Sequence, residues 1–236
     1  MLDPASDLRP DHWQTVTLIV IGVFLLVIMF LWNLPGLRAV LYPFKVLTVA
    51  FHEAGHALAC VLTGGRVESI TLDPDLGGLT MMRGGIQSCT LPAGYLGSAL
   101  IGALLLFLGF STLASKIAAG CVAGLLVLVL IWAKTWFTRG MSLLFIALII
   151  AAYFIPDPAG AWVMRLFILF LGVMCGLYAV FDIFEDLVMR KVNESDASKF
   201  AELWGCCPAQ GWGLVWALIS LIFMAGGVLA GLAFFK

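Results

Sequence analysis

At 236 residues, with 62% hydrophobic and 11% charged side chains and a mean hydropathy of +1.07, the chain falls outside the range of soluble globular domains, in which about 25% of residues are charged. A net charge of −1 with no basic block gives no reason to expect a nucleic-acid partner. What remains is a polytopic membrane protein whose surroundings are the lipid bilayer; the sequence assigns no oligomeric state.

The opening MLDPASDLRPDHW is polar and acidic, the opposite of a signal peptide's positive start, so the first span is read as retained. Residues 15–32 form that span, long enough at about 1.5 Å per residue to cross a hydrocarbon core with its flanks. A second span covers 40–63 and is stopped by Gly64-Gly65. In residues 66–85, RVESITL alternates polar and apolar positions, DPDLGG is rich in turn formers, and LTMMR can return as a second strand. The alternatives are a β-hairpin and an ordinary loop; a hairpin would offer a strand edge to an extended substrate.

Residues 91–110 are the third span, with small residues at Gly94, Gly97, Ser98 and Gly102 that fit close helix contact. The runs 118–133 and 141–155 are short for spanning, and one of them could be re-entrant. Residues 161–188 form a sixth, long helix that carries Gly172 and Gly176 and ends in Asp182, Glu185 and Asp186. A polar segment follows in which Ser195 can cap a short surface helix. The seventh span is 212–235. The fold class is therefore all-α, with about seven transmembrane helices, a short β-hairpin after the second as its one non-helical candidate, and one domain over 1–236.

Six cysteines, at 60, 89, 121, 175, 206 and 207, match neither a disulfide framework nor a Cys-x-x-Cys metal site. Most read as small apolar packing residues, and the adjacent Cys206 and Cys207 as thiols that palmitoylation could modify.

The chemistry concentrates in Phe51-His52-Glu53-Ala54-Gly55-His56-Ala57, which sets three ionisable side chains inside the second span. Such groups at membrane depth are rare and usually functional. The chain has three histidines, and two are here. On a helix, His52 and His56 share one face and Glu53 is offset by about 100°. Two neutral imidazoles can hold Zn²⁺ and leave room for a third ligand and a water, from which the neighbouring carboxylate can take a proton. The competing interpretation is a structural His–Glu polar cluster between helices.

Elimination narrows the third ligand. Asp73 and Asp75 fall in a turn-rich loop and Asp157 in a Pro turn, which leaves the acidic trio on the sixth helix. Asp182 is preferred as the deepest, with Asp186 on the same face as a supporting or substitute ligand. Strict alternation of seven spans would put the active-site mouth and the N-terminus on one side. Eight Lys and Arg (Arg9, Arg66, Arg83, Lys134, Arg139, Arg190, Lys191, Lys199) against five then make that side cytoplasmic.

The segment FHEAGHALACVLTGGRVESITL, with PAGYLGSALIG and the later FDIFEDLV and NESDASKFAELWG, resembles the site-2-protease group of intramembrane zinc metallopeptidases, in its small branch without a PDZ domain. The resemblance implies His52 and His56 as zinc ligands, Glu53 as general base, and a buried site reached by water. The group's usual Leu-Asp-Gly is absent, so FDIFEDLV with Asp182 must stand in for it. The expected function is hydrolysis of membrane-embedded or membrane-adjacent protein segments. The alternatives are a catalytically silent membrane scaffold or chaperone, and a transporter, which would carry ionisable residues on more spans.

Overall fold

The computed structural model describes residues 9–34, 36–75, 77–188 and 195–235; the side chains at 38, 182 and 184–188 lie outside the described residues. Helix α1 (His12–Asn33) starts at a capping box, in which Asp11 accepts from the Gln14 N–H at 2.7 Å and Gln14 accepts from the Asp11 N–H at 3.0 Å. Helix α2 (Arg38–Leu62) ends where Gly64 takes a φ of +82°, a conformation that L side chains rarely adopt.

Strands β1 (Arg66–Leu72) and β2 (Gly78–Arg83) pair antiparallel, with Ile70 opposite Thr80. The hairpin lies back along α2: the Tyr42 hydroxyl donates to the Pro74 carbonyl at its tip, at 2.8 Å, while Thr80 reaches Glu53 eleven helical positions later. Backbone beside a spanning helix needs partners that lipid does not supply. They come from the α4–α5 junction, where Thr138 Oγ1 accepts from the Leu72 N–H at 2.9 Å and the Lys134 N–H donates to the Ile70 carbonyl at 3.1 Å.

Helices α3 (Gln87–Leu108), α4 (Thr112–Trp132), α5 (Trp136–Tyr153), α6 (Ala159–Val188), α7 (Asp196–Trp204) and α8 (Ala209–Phe234) complete the order. Among the described residues, seven helices, all but the short α7, are long and apolar enough to cross a membrane, and the protein is an integral multi-pass membrane protein. Both short runs are full helices of 21 and 18 residues. They start earlier than apolarity alone indicates because Ser111 and Thr135 cap them, and because the cations in their opening turns are satisfied. Lys116 pairs with Asp157 at 2.7 Å, and Arg139 donates to the Ala133 carbonyl at 3.2 Å and lies over Trp136.

α2 and α6 are the most buried spans, α1 and α5 the least. One core cluster joins Phe51 to Phe145, Ile168 and Cys175; a second joins Ile28 to Leu106 and Val173. α3 and α6 touch backbone to backbone where Gly102 meets Gly172 and Gly176, as the small-residue spacing predicts.

α1 departs from expectation in direction. It lies parallel to α6, with Trp13 on Trp162 at 5.7 Å, Phe24 on Phe170 at 5.4 Å and Trp32 on Phe181 at 4.8 Å. Its first turn reaches the ends of α8 and α3: Gln14 Nε2 donates to the Leu232 and Phe235 carbonyls, at 2.9 Å each, and Thr17 accepts from Arg165, which also holds the Gly109 carbonyl. The expected sharing of one face by the N-terminus and the active site therefore fails. Simple alternation presumes that each connection reverses the chain, whereas here the aromatic stripe of α1 matches that of α6.

Candidate metal centre

His52 and His56 sit one turn apart on the buried face of α2, with their Nε2 atoms 3.0 Å from each other. Both point at α3, which comes within backbone contact of α2 because two glycines face the seam. A Cβ on Gly55 would strike the Ala93 carbonyl, and one on Gly94 would occupy the space of both imidazole Nε2 atoms. That approach also brings the Thr90 carbonyl to His56 Nδ1, at 2.7 Å. A carbonyl only accepts, so Nδ1 carries the hydrogen and the Nε2 lone pair faces inward. The His52 ring stands edge-on to Tyr95, centroids 4.7 Å apart, and its Nδ1 is buried with no hydrogen-bond partner.

The third group arrives from α7. Ser195 caps this helix, its hydroxyl accepting from the Ser198 N–H at 3.2 Å. Ala197 and Phe200 anchor the helix in a buried cluster with Tyr95, Ile183 and Trp216. Its first residue, Asp196, then places Oδ2 at 3.1 Å from His52 Nε2 and 3.0 Å from His56 Nε2. Burial alone would push the Asp196 carboxyl up, but the imidazoles outweigh it and hold the group well below the usual carboxylate range.

Among the described residues, these three form the group able to hold a metal ion. Their donor atoms make a triangle with edges of 3.0, 3.0 and 3.1 Å. Tetrahedral zinc with bonds of about 2.0–2.1 Å sets its ligand atoms roughly 3.3–3.4 Å apart, so a small shift suffices. The donor chemistry agrees. A lone pair on His56 Nε2 facing a carboxylate oxygen puts two acceptors in contact, and a proton or a cation must lie between them.

Glu53 is 5% exposed and turns from the histidines toward the hairpin. Thr80 Oγ1 lies 2.5 Å from its Oε2 and 3.1 Å from its main-chain carbonyl, and Gly78 lies against its Oε1. The carboxylate thus sits between α2 and the inner face of β2.

Of the residues singled out in the sequence, His52 and His56 come together with Asp196 in one group, and Glu53, buried on the same helix, lies against the hairpin. Asp182 belongs to α6, next to Ile183 of the cluster that anchors α7, and its side chain is outside the described residues, as are those of Glu185 and Asp186. Asp196 was passed over because elimination considered only acids near spans. Its signal was local: an acid directly after the Ser195 cap, on a short helix whose Ala197 and Phe200 need something to dock on. Cys60, one turn past His56, is buried against Gly65 and takes no part.

A helical membrane bundle with a His-His-Asp cluster and a neighbouring glutamate defines a membrane protein of metallopeptidase type. The chain matches the Peptidase M50B-like family model over residues 20–227 and belongs to that family, one of the site-2-protease kind. No curated protein and no solved structure matches it.

Proposed function

We propose that the protein is a zinc-dependent intramembrane endopeptidase acting on membrane-embedded or membrane-adjacent protein segments. The observation that carries this is the triangle of His52, His56 and Asp196 donor atoms, with Glu53 buried on the helix that carries both histidines. The two imidazoles and the Asp196 carboxylate would hold the ion, Asp196 taking the part that the sequence alone gave to Asp182. Zinc, when bound there, supplies Lewis acidity toward a scissile carbonyl and acidifies water. Glu53 accepts the proton of the attacking water at Oε1, since Oε2 is engaged by Thr80, and returns it to the departing amide nitrogen. His56 is kept in its ligating tautomer by the Thr90 carbonyl, and Tyr95 confines the His52 ring.

The substrate must present an extended backbone. β1 is paired on one side by β2 and bridged at Ile70 by Ala133, whereas β2 pairs with no second strand among the described residues. Its open edge is the surface on which an extended chain can add a strand. The end of the bundle at this site carries Arg66, Arg83, Lys134 and Arg139, so we place it on the cytoplasmic side, with the first turn of α1 opposite.

Metal analysis of the purified protein tests the proposal, with Glu53→Gln as control. The expected result is one zinc in both and cleavage only by the wild type. Absence of zinc from the wild type would defeat the zinc-peptidase reading. Zinc without any Glu53-dependent cleavage would point instead to a protease-like scaffold. Comparing membrane-protein abundances between wild type and Glu53→Gln cells would reveal the substrate.

A further inference from the structure

We infer that Thr80 is a positioning residue for Glu53, and that the inner face of β2 is built as a cradle for that carboxylate. The inference rests on the proposed role of Glu53 as general base and adds the residues that aim it. Side chains at i and i+2 of a strand share one face, so positions 78 and 80 both look at α2. At 80 there is a hydroxyl, buried and 2.5 Å from Glu53 Oε2. At 78 there is no side chain, and the missing Cβ is the space that Glu53 Oε1, Cγ and Cδ need. One position therefore holds the carboxylate and the other makes room for it, while Leu79 and Met81, on the opposite face of the strand, are exposed.

The chemistry of the pair is directional. Ionised Glu53 only accepts, and the Thr80 hydroxyl has one hydrogen to donate. Engaging Oε2 fixes the carboxylate plane and leaves Oε1 as the oxygen free to take a proton. An unheld glutamate has three rotatable bonds, and a general base must lie within hydrogen-bond reach of the proton that it abstracts. The strand that aims the base is also the one with an open edge. A substrate strand added there would be in register with Glu53 through β2 itself, so that binding and orientation of the base share one element.

The test uses full-length protein in detergent with three variants: Thr80→Val, which keeps the shape and removes the hydroxyl, Thr80→Ser, which restores it, and Glu53→Ala. In metal-free protein, Thr80→Val should lower the unfolding midpoint by about 2–4 °C, and by much less when Glu53 is already alanine. Thr80→Ser should stay within a degree or so of wild type. With zinc bound, Thr80→Val should keep the wild-type metal content. It should cleave β-casein, a disordered chain used as probe, with kcat about 10- to 100-fold lower and KM unchanged, and serine should recover most of the loss. Equal effects of Thr80→Val with and without Glu53 would overturn the inference, as would a loss confined to KM. A wild type without zinc or cleavage would count against the peptidase proposal alone, and the metal-free cycle would still decide whether Thr80 holds Glu53.

Discussion

His52 Nε2 and Asp196 Oδ2 are 144 residues apart in the chain and 3.1 Å apart in space. The contact ties the second span to a short helix that is not a span, and it makes α7 part of the candidate metal centre rather than a surface decoration. Asp196→Ala should remove bound zinc and cleavage together, exceeding the roughly 10- to 100-fold loss typical of a group that only supports a ligand. Asp182→Asn should retain zinc. Metal analysis of the two purified variants checks this, and zinc retained by Asp196→Ala would reassign the third ligand.

Gly94 is the counterpart on α3. Its hydrogen is all that separates the α3 backbone from the two Nε2 atoms. Gly94→Ala should therefore push the imidazoles apart at a cost of about 1–3 kcal/mol in stability, the range for overpacking a filled site. Zinc should be lost while the helical circular dichroism is kept. Gly97→Ala, where the added methyl meets Gly55 Cα at 3.3 Å, should be milder and keep the metal.

The histidines and Glu53 were legible because three ionisable groups in an apolar helix are conspicuous, and their 3.6-residue geometry needs no tertiary knowledge. The hairpin was legible from alternation and turn formers. Asp196 and the direction of α1 were not. Each depends on what a segment docks against: α7 on the Tyr95–Trp216 cluster, and α1 on the aromatic stripe of α6. A list of acids near spans cannot see a carboxylate delivered from outside them. A count of alternating passes cannot see one helix lying parallel to another.

Thr138 holds the hairpin from its other side. It is fully buried, and its hydroxyl oxygen accepts from the Leu72 N–H. Thr138→Val should leave that N–H without a partner, at a cost of about 1–3 kcal/mol. Amide exchange at Leu72 should speed up by at least tenfold with zinc content unchanged. Unchanged exchange would mean that another group satisfies the strand.

Arg165 does at the opposite end what the glycines do at the site, fixing α3 against its neighbours. Its guanidinium donates to the Gly109 carbonyl at 2.9 Å, the Phe110 carbonyl at 3.0 Å and the Thr17 hydroxyl, and it is 4% exposed. Arg165→Lys keeps the charge but not the fork that reaches two carbonyls just past the end of α3 and a hydroxyl on α1. It should cost about 2–3 kcal/mol, seen as a lower unfolding midpoint. Metal content should stay the same, because the centre lies about 22 Å away along α3.

Asp196 also fixes the sign of the acid response. Its folded pKa is below the ordinary aspartate value, so its contribution to stability is present above about pH 3.9 and is lost only as pH falls through the lowered value. The Asp196 carboxylate thus stays ionised through mildly acidic conditions. Zinc bound at this site should be released on acidification, as protons compete with the metal for its ligand atoms. Titrating zinc release from purified protein against pH checks this.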